Sequence, residues 1–528
     1  MRVRQAACLL PFVLTAVACG AGDRAGGGPE TGDDDLTSLT ARQRILTFEG
    51  QVYVAPDATD EEILAAAQTQ TQTAFGALLH FDVAVQTREV QNVDDKSFKK
   101  RPITVIDTNV PGDAGKPMME VKYTYRDNAL VPVAMAHKTA LNIAVLGQAA
   151  MDKTKDLVAL CTAGTHEEVQ DEKDGLFWYD FNPSKPTCRK ELEKEQKVID
   201  ADTGKLADPK REVALSRVNR LYLPTTAQLA GADTAQRATY PEYDRLFSGA
   251  SQDGVLTIAM LAGRLAHEHV EARKDGGYYE WMAALDVIFT ANPDFEMKKI
   301  EPREDLSVVY AEDKKYDGLT FEDFIQWTVY GRGWPEGMPA SSRDNIARTI
   351  ANKLDNHWVT FEKQVNVAIG GQAPKPVTIR IETLFGADED TAPHRRALRR
   401  GDVVVYNGHS YIGYGPLDPG NYTPDSFSKG YQMFWFDSCV SYNYYEKDFF
   451  TLKAGGSKNL DLVTNGIEAP EYLSGEAEGK FISKLISGSM PSYQTLLESA
   501  KATDALRVVD GEIDNKWTNE KTPVRFVR

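Results

Sequence analysis

Two residues of this 528-residue chain set a nucleophile and a base at matching places in the sequence pattern. An apolar run, Val403 to Tyr406, leads into Asn407-Gly408-His409-Ser410. Thirty residues past that histidine lies Cys439, at the end of a second run, Met433 to Phe436, followed by Asp437-Ser438-Cys439. Both polar groups closely follow a buried-strand pattern, and in open parallel sheets ligands bind beyond the carboxyl ends of the strands. With the two strands as neighbours, imidazole and thiol face one crevice. His409 then takes the thiol proton, or holds the thiolate as an ion pair, and later protonates a leaving amine. The attacked carbonyl becomes an oxyanion, for which the backbone N–H groups of Cys439 and Ser410 are the candidate donors. Gly408 lets the chain turn closely around the site. The plainer alternative is a histidine that satisfies loop hydrogen bonds and a cysteine packed as a small hydrophobe.

The two stretches resemble the motifs of the caspase-like cysteine peptidase clan, metacaspases most closely. In that family an apolar strand ends near Ser-Gly-His-Gly, and a later one ends in Asp-Ser-Cys-x-Ser-Gly. Here the matching segments are Asn407-Gly408-His409-Ser410 and Asp437-Ser438-Cys439-Val440-Ser441-Tyr442. The resemblance implies His409 as general acid/base, Cys439 as nucleophile, and Asp437 as an acidic residue shaping the primary-specificity pocket. It also implies a mostly parallel sheet flanked by helices, no cofactor, and a peptide or protein substrate. Ser410 and Tyr442 depart from the family's glycines: the first stiffens the loop, and the second puts a ring where the family has open backbone. Those departures keep open a second reading, a catalytically inactive surface-binding protein on the same fold, since fold does not impose activity.

Aromatic residues crowd this region: 14 of the residues from 401 to 450 are Phe, Trp or Tyr, against 9% of the chain. Tyr411, Tyr442 and Tyr444 (with Tyr414 and Tyr445) are candidates to line a substrate groove beside Asp437, or else form a rigid tyrosine-rich loop layer. Asp437 and the acidic composition point to Lys or Arg at P1, as the metacaspase resemblance does.

The elements that must position these groups are α/β in pattern. Leu46–Val54, Phe81–Thr87, Ile103–Ile106 and Met119–Tyr125 read as strands, and Thr59 opens a helical pattern through Ala74. They define a separate mixed α/β N-terminal module over residues 42–210, with a polar insertion from Met151 to Arg211. Leu256–Arg273 and Arg343–Val365 read as helices, and Leu306–Tyr310 as the candidate first strand of the peptidase sheet, within a helix-rich region 211–375. From 376 to 528, Val377–Glu382, Val403–Tyr406, Met433–Phe436 and Leu460–Thr464 are compact strand runs, with Pro393–Arg400 a short helix. Strands separated by helical stretches make a sheet with crossover connections.

The N-terminus carries its own signal. Arg2 and Arg4, the apolar run Ala6–Ala18 and the small residues before Cys19 have the order of an export signal over residues 1–19. The segment resembles a bacterial lipoprotein signal, which implies lipidation of Cys19, an anchor in a bacterial membrane and an outer-membrane or periplasmic location. Residues 20–41, rich in glycine and acids, read as a flexible linker. In an oxidising compartment Cys161 and Cys188, 27 positions apart, are a disulfide pair. Cys439 is left over. The formal charge of -17 excludes broad nucleic-acid binding, which needs positive charge to displace counterions. His267-Glu268-His269 with Glu271 lacks the second histidine of a His-Glu-x-x-His zinc site, so no metal site is assigned. Asp388, Glu389 and Asp390 lack EF-hand spacing, and calcium dependence stays open.

Overall fold

The structure, a computed structural model, describes residues 36–148, 160–161, 182–231, 238–266, 270–303, 314–320, 323, 334–386, 390–411 and 414–527. Residues 32–528 form one compact unit. Its first eight strands are β1 (Leu36–Ser38), β2 (Ala41–Val54), β3 (Ala84–Val85), β4 (Val93–Ile106), β5 (Lys116–Pro132), β6 (Ala140–Leu146), β7 (Glu212–Ala214) and β8 (Tyr222–Ala230). Then follow β9 (Val255–Ala262), β10 (Glu296–Glu301), β11 (Trp358–Ile369), β12 (Lys375–Phe385), β13 (Val403–Asn407), β14 (Gln432–Asp437), β15 (Leu460–Thr464), β16 (Val508–Asp510) and β17 (Val524–Val527).

The larger sheet runs in the order β1-β16-β15-β14-β13-β9-β12-β11-β10, with β17 beside β11. Its centre, β12-β9-β13-β14-β15, is parallel throughout. That arrangement explains the sequence of these strands. Parallel strands are covered on both faces, so they read as continuous apolar runs rather than as alternating ones. All eight residues of β9 are buried, as are all those of β13, β14 and β15. The alternation reappears as a division between two cores. Ile258, Met260, Val403, Val405, Met433 and Trp435 face one layer. Ala259, Leu261, Val404, Tyr406, Phe434 and Phe436 face the other.

The first layer is completed by α3 (Gly276–Ala291), α4 (Ala340–Leu354) and α7 (Ser474–Leu485), whose apolar side chains join that core. The second layer holds α5 (Thr391–Arg400), α6 (Ser441–Leu452) and the smaller sheet, β6-β8-β2-β5-β4-β7, with β3 against β5. Leu46, Phe48, Leu78 and Val131 share one core with Phe434, Tyr445 and Phe449, so the N-terminal module packs directly on the larger sheet. The smaller sheet takes in residues as far as Ala230, beyond the 210 boundary read from the sequence. Of its helices, α1 (Asp60–Gln72) starts at a Thr59–Glu62 capping box, and α2 (Pro186–Thr203) carries Cys188. The expected disulfide is present: Cys161 is bonded to Cys188, with Cα atoms 4.9 Å apart.

Three expectations are corrected. Leu256–Arg273 is not a helix; its first part is β9, between β12 and β13, because a short run buried on both faces has no polar side from which to read a period. Arg343–Val365 is not one helix: α4 ends at Leu354, the chain turns through Asn356 at φ 59°, and β11 begins at Trp358. Of Phe81–Thr87 only Ala84 and Val85 pair as a strand. Leu306–Tyr310 lies outside the described residues. The signal 1–19 with Cys19, the linker as far as residue 35, and residues 151–159 and 162–181 of the insertion also lie outside them. Among the described residues no helix is long and apolar enough to cross a membrane.

Helices α3 and α7 approach each other through glycine. A Cβ on Gly475 would lie 2.0 Å from the Glu280 carbonyl oxygen, and one on Gly479 2.7 Å from a Val287 side-chain carbon. Gly475→Ala must push two backbones apart, so a loss of about 1–3 kcal/mol, read as a lower denaturant midpoint at unchanged slope, is the expected result.

Candidate active site

The carboxyl ends of β9, β13 and β14 converge, and the sequence candidates stand on them. Asn407 is in register with Asp437 on β14 and with Ala262 on β9. His409 and Cys439 each follow by two residues on adjacent parallel strands. The β9 edge continues one residue further, where Gly263 N–H donates to the Asn407 carbonyl at 2.7 Å. Gly408 is required by close approach: a Cβ there would meet the Tyr406 hydroxyl at 2.6 Å and the Gly263 Cα at 3.3 Å. The same hydroxyl donates to the His409 carbonyl at 2.9 Å, which pins the loop below the imidazole. His409 Nε2 lies 3.0 Å from the Leu265 carbonyl oxygen, three residues past the end of β9. A carbonyl only accepts, so Nε2 carries the proton of the neutral ring and Nδ1 carries the lone pair.

Cys439 sits between β14 and α6, and Val440 makes the bend in the left-handed region at φ 52°. A β-branched residue there is strained, and such strain persists only where the surroundings hold it. They do hold it: Val440 N–H donates to Ile467 O at 3.1 Å, and the Ser441 hydroxyl donates to Phe436 O at 2.8 Å. Tyr411 (φ 53°) and Tyr472 (φ 63°) also take this conformation. The Tyr445 hydroxyl donates to the Ser410 carbonyl at 2.5 Å, linking the helix after the cysteine to the loop after the histidine. From the smaller sheet, Glu89 N–H reaches Asn443 Oδ1 at 3.0 Å, and the Asn443 amide donates to Val85 and Thr87 carbonyls.

Burial pushes the Cys439 thiol above the usual range, opposed by a backbone N–H from Ala469; the carboxylates of Glu468, Asp437 and Glu471 push it further up. The resting group is therefore a neutral thiol.

Asp437 is the candidate pocket acid, and its carboxylate is already engaged. Its Oδ1 accepts from Arg507 Nη2 at 3.2 Å and from Asn465 Nδ2 at 2.7 Å, with both ends of the ion pair buried. Arg507 also donates to Ala500 and Thr503 carbonyls and stacks over the Trp435 ring, 4.6 Å from its centroid. Tyr442 and Tyr444, both on α6, are buried rather than lining a groove, Tyr442 among Leu36, Leu130 and Val508 and Tyr444 in the core of Phe436 and Phe449. Ring contacts run instead from His409 through Tyr411 to Tyr414, which is 62% exposed. Tyr472 and Tyr279, in edge contact with each other, and Leu473 are also exposed.

Sequence reasoning missed Leu265, Asp275 and Arg507. Arg507 carries no local signal, since its partner is 70 residues away. Leu265 and Asp275 became legible only once β9 was known to be a strand. His267, Glu268, His269, Asp388 and Glu389 lie outside the described residues. No protein-family model, curated protein or solved structure matches this chain.

Three outcomes follow from this electrostatic setting. Alkylation of Cys439 by iodoacetamide is slow at neutral pH and is still rising beyond about pH 8.5, the value of an ordinary thiol. Glu468→Gln removes a nearby anion and speeds alkylation at neutral pH, most strongly at low ionic strength; a rate already level at pH 7 contradicts this setting. Arg507→Met leaves Asp437 buried without its cation and costs about 3–5 kcal/mol, measurable as a lower unfolding midpoint.

Proposed function

We propose that the chain is an exported, lipid-anchored cysteine endopeptidase of caspase-like type, with Cys439 as nucleophile and His409 as general base and acid. The observation that carries this reading is the register of β13 and β14: His409 and Cys439 each follow by two residues the paired position Asn407–Asp437. The parallel order β12-β9-β13-β14-β15 supports the caspase-like assignment. Anchorage through Cys19 rests on the N-terminal sequence.

The chemistry runs as acyl transfer. His409 Nδ1 takes the thiol proton as Sγ bonds to the substrate carbonyl carbon, and the oxyanion is met by the N–H groups of Cys439 and Ser410. The imidazolium then protonates the amide nitrogen, the C–N bond breaks, and the amine leaves behind a thioester on Cys439. Water gives a proton to His409 while its oxygen attacks the thioester; the C–S bond breaks, and the thiolate recovers the proton as the acid product departs. The raised thiol makes proton removal by His409 indispensable. Because Asp437 is paired with Arg507, a preference for Lys or Arg at P1 rests on Glu468 and Glu471, whose charges act at Cys439.

The alternative, an inactive binding lipoprotein, draws support from that same resting thiol. A peptidyl acyloxymethyl ketone separates the two. Stoichiometric labelling of Cys439, absent in Cys439→Ala and slowed about 100-fold or more in His409→Ala, is the peptidase outcome. A Cys439 that reacts with iodoacetamide but ignores the peptidyl probe is the outcome of the binding reading.

A further inference from the structure

The loop that faces His409 is organised by a buried carboxylate from another element. Asp275 is the N-cap of α3 and only 2% exposed. Its Oδ1 accepts from Gly277 N–H at 2.8 Å and from Leu265 N–H at 2.9 Å. Its Oδ2 accepts from Ala266 N–H at 3.3 Å and lies 3.7 Å from Arg264 Nη1. Arg264 is held in turn by Asp355 at 2.5 Å. Glycine makes the arrangement possible, because a Cβ on Gly277 would lie 1.9 Å from the Gly263 carbonyl oxygen. The start of α3 is therefore seated directly against the end of β9.

Ala266 N–H and Leu265 C=O belong to one peptide group. Its oxygen accepts a hydrogen bond from His409 Nε2–H, and its N–H donates one to Asp275 Oδ2. We infer that Asp275 is a positioning residue that acts on His409 through this single peptide unit, so that the imidazole, the peptide and the carboxylate form one relay. A peptide whose N–H donates to an anion becomes a stronger acceptor at its oxygen, since hydrogen bonds in series polarise one another. The carboxylate thereby favours the Nε2–H tautomer and supports the imidazolium formed when Nδ1 takes a proton. In a Ser-His-Asp triad the carboxylate bonds the ring directly; here one peptide unit intervenes. The catalytic consequence rests on the cysteine-peptidase reading, whereas the link between Asp275 and the ring does not.

The test uses the full chain with 15N-labelled histidine. In the unaltered protein the His409 ring nitrogens report the Nε2–H tautomer. Asp275→Asn keeps an acceptor for Leu265 and Gly277 but turns a donor toward Ala266, so the Nδ1–H form appears at His409 and not at the other histidines. With the peptidyl acyloxymethyl ketone, the maximal labelling rate falls about tenfold, less than for loss of a directly bonded carboxylate, and the half-saturating concentration is unchanged. Ala266→Pro deletes the relaying N–H while sparing the helix cap, and gives the same two changes even where Asp275→Asn folds poorly. Folded variants whose His409 keeps the Nε2–H tautomer and the full labelling rate overturn the inference. An unaltered protein that ignores the probe overturns the peptidase reading alone, because the tautomer measurement still decides the role of Asp275.

Discussion

The parallel pairing of β9, β13 and β14 is the constraint on which the rest of the structure depends. Three fully buried strands in register bring their carboxyl ends to one edge, and each end supplies one part of the candidate site: Leu265, His409 and Cys439. Parallel strands cannot be joined by tight turns, so each return needs a crossover. Those crossovers set α3, α5 and α6 over the two faces and leave the carboxyl edge lined by loops. Close backbone contact at Gly263, Gly277 and Gly408 then brings the loops near enough to exchange hydrogen bonds.

Charge at this edge is arranged in two tiers. The inner acids, Asp437 and Asp275, are each matched by a guanidinium, Arg507 and Arg264. A buried ion pair adds little net stability but is costly to break, so these pairs serve to lock geometry. Burial pushes the carboxyls of Glu280 and Glu478 up, and the charge of Asp437 adds to both shifts. The outer acids, Glu468 and Glu471, act on the Cys439 thiol. Together with burial they keep that thiol neutral at rest.

The N-terminal sheet takes part in this arrangement. Its Val85–Glu89 segment is hydrogen-bonded to Asn443 on α6, the helix that begins two residues after Cys439, and its core is continuous with that of the larger sheet. The module therefore braces the helix that follows Cys439.

By itself, the sequence determined the compact strands from Val377 onward, the placement of His409 and Cys439 just past two of them, and the pairing of Cys161 with Cys188. These were legible because each depends on a local pattern: an apolar run closed by a turn, or two cysteines close together in a polar stretch of an exported chain. Only the tertiary structure decided that Val255–Ala262 is a central strand, that Asp437 faces Arg507, and that Tyr442 and Tyr444 are buried. A run covered on both faces shows no period, and an ion pair spanning 70 residues leaves no local trace. Whether a tyrosine faces water or core is settled by which elements close over it, and that is a property of the assembled layers.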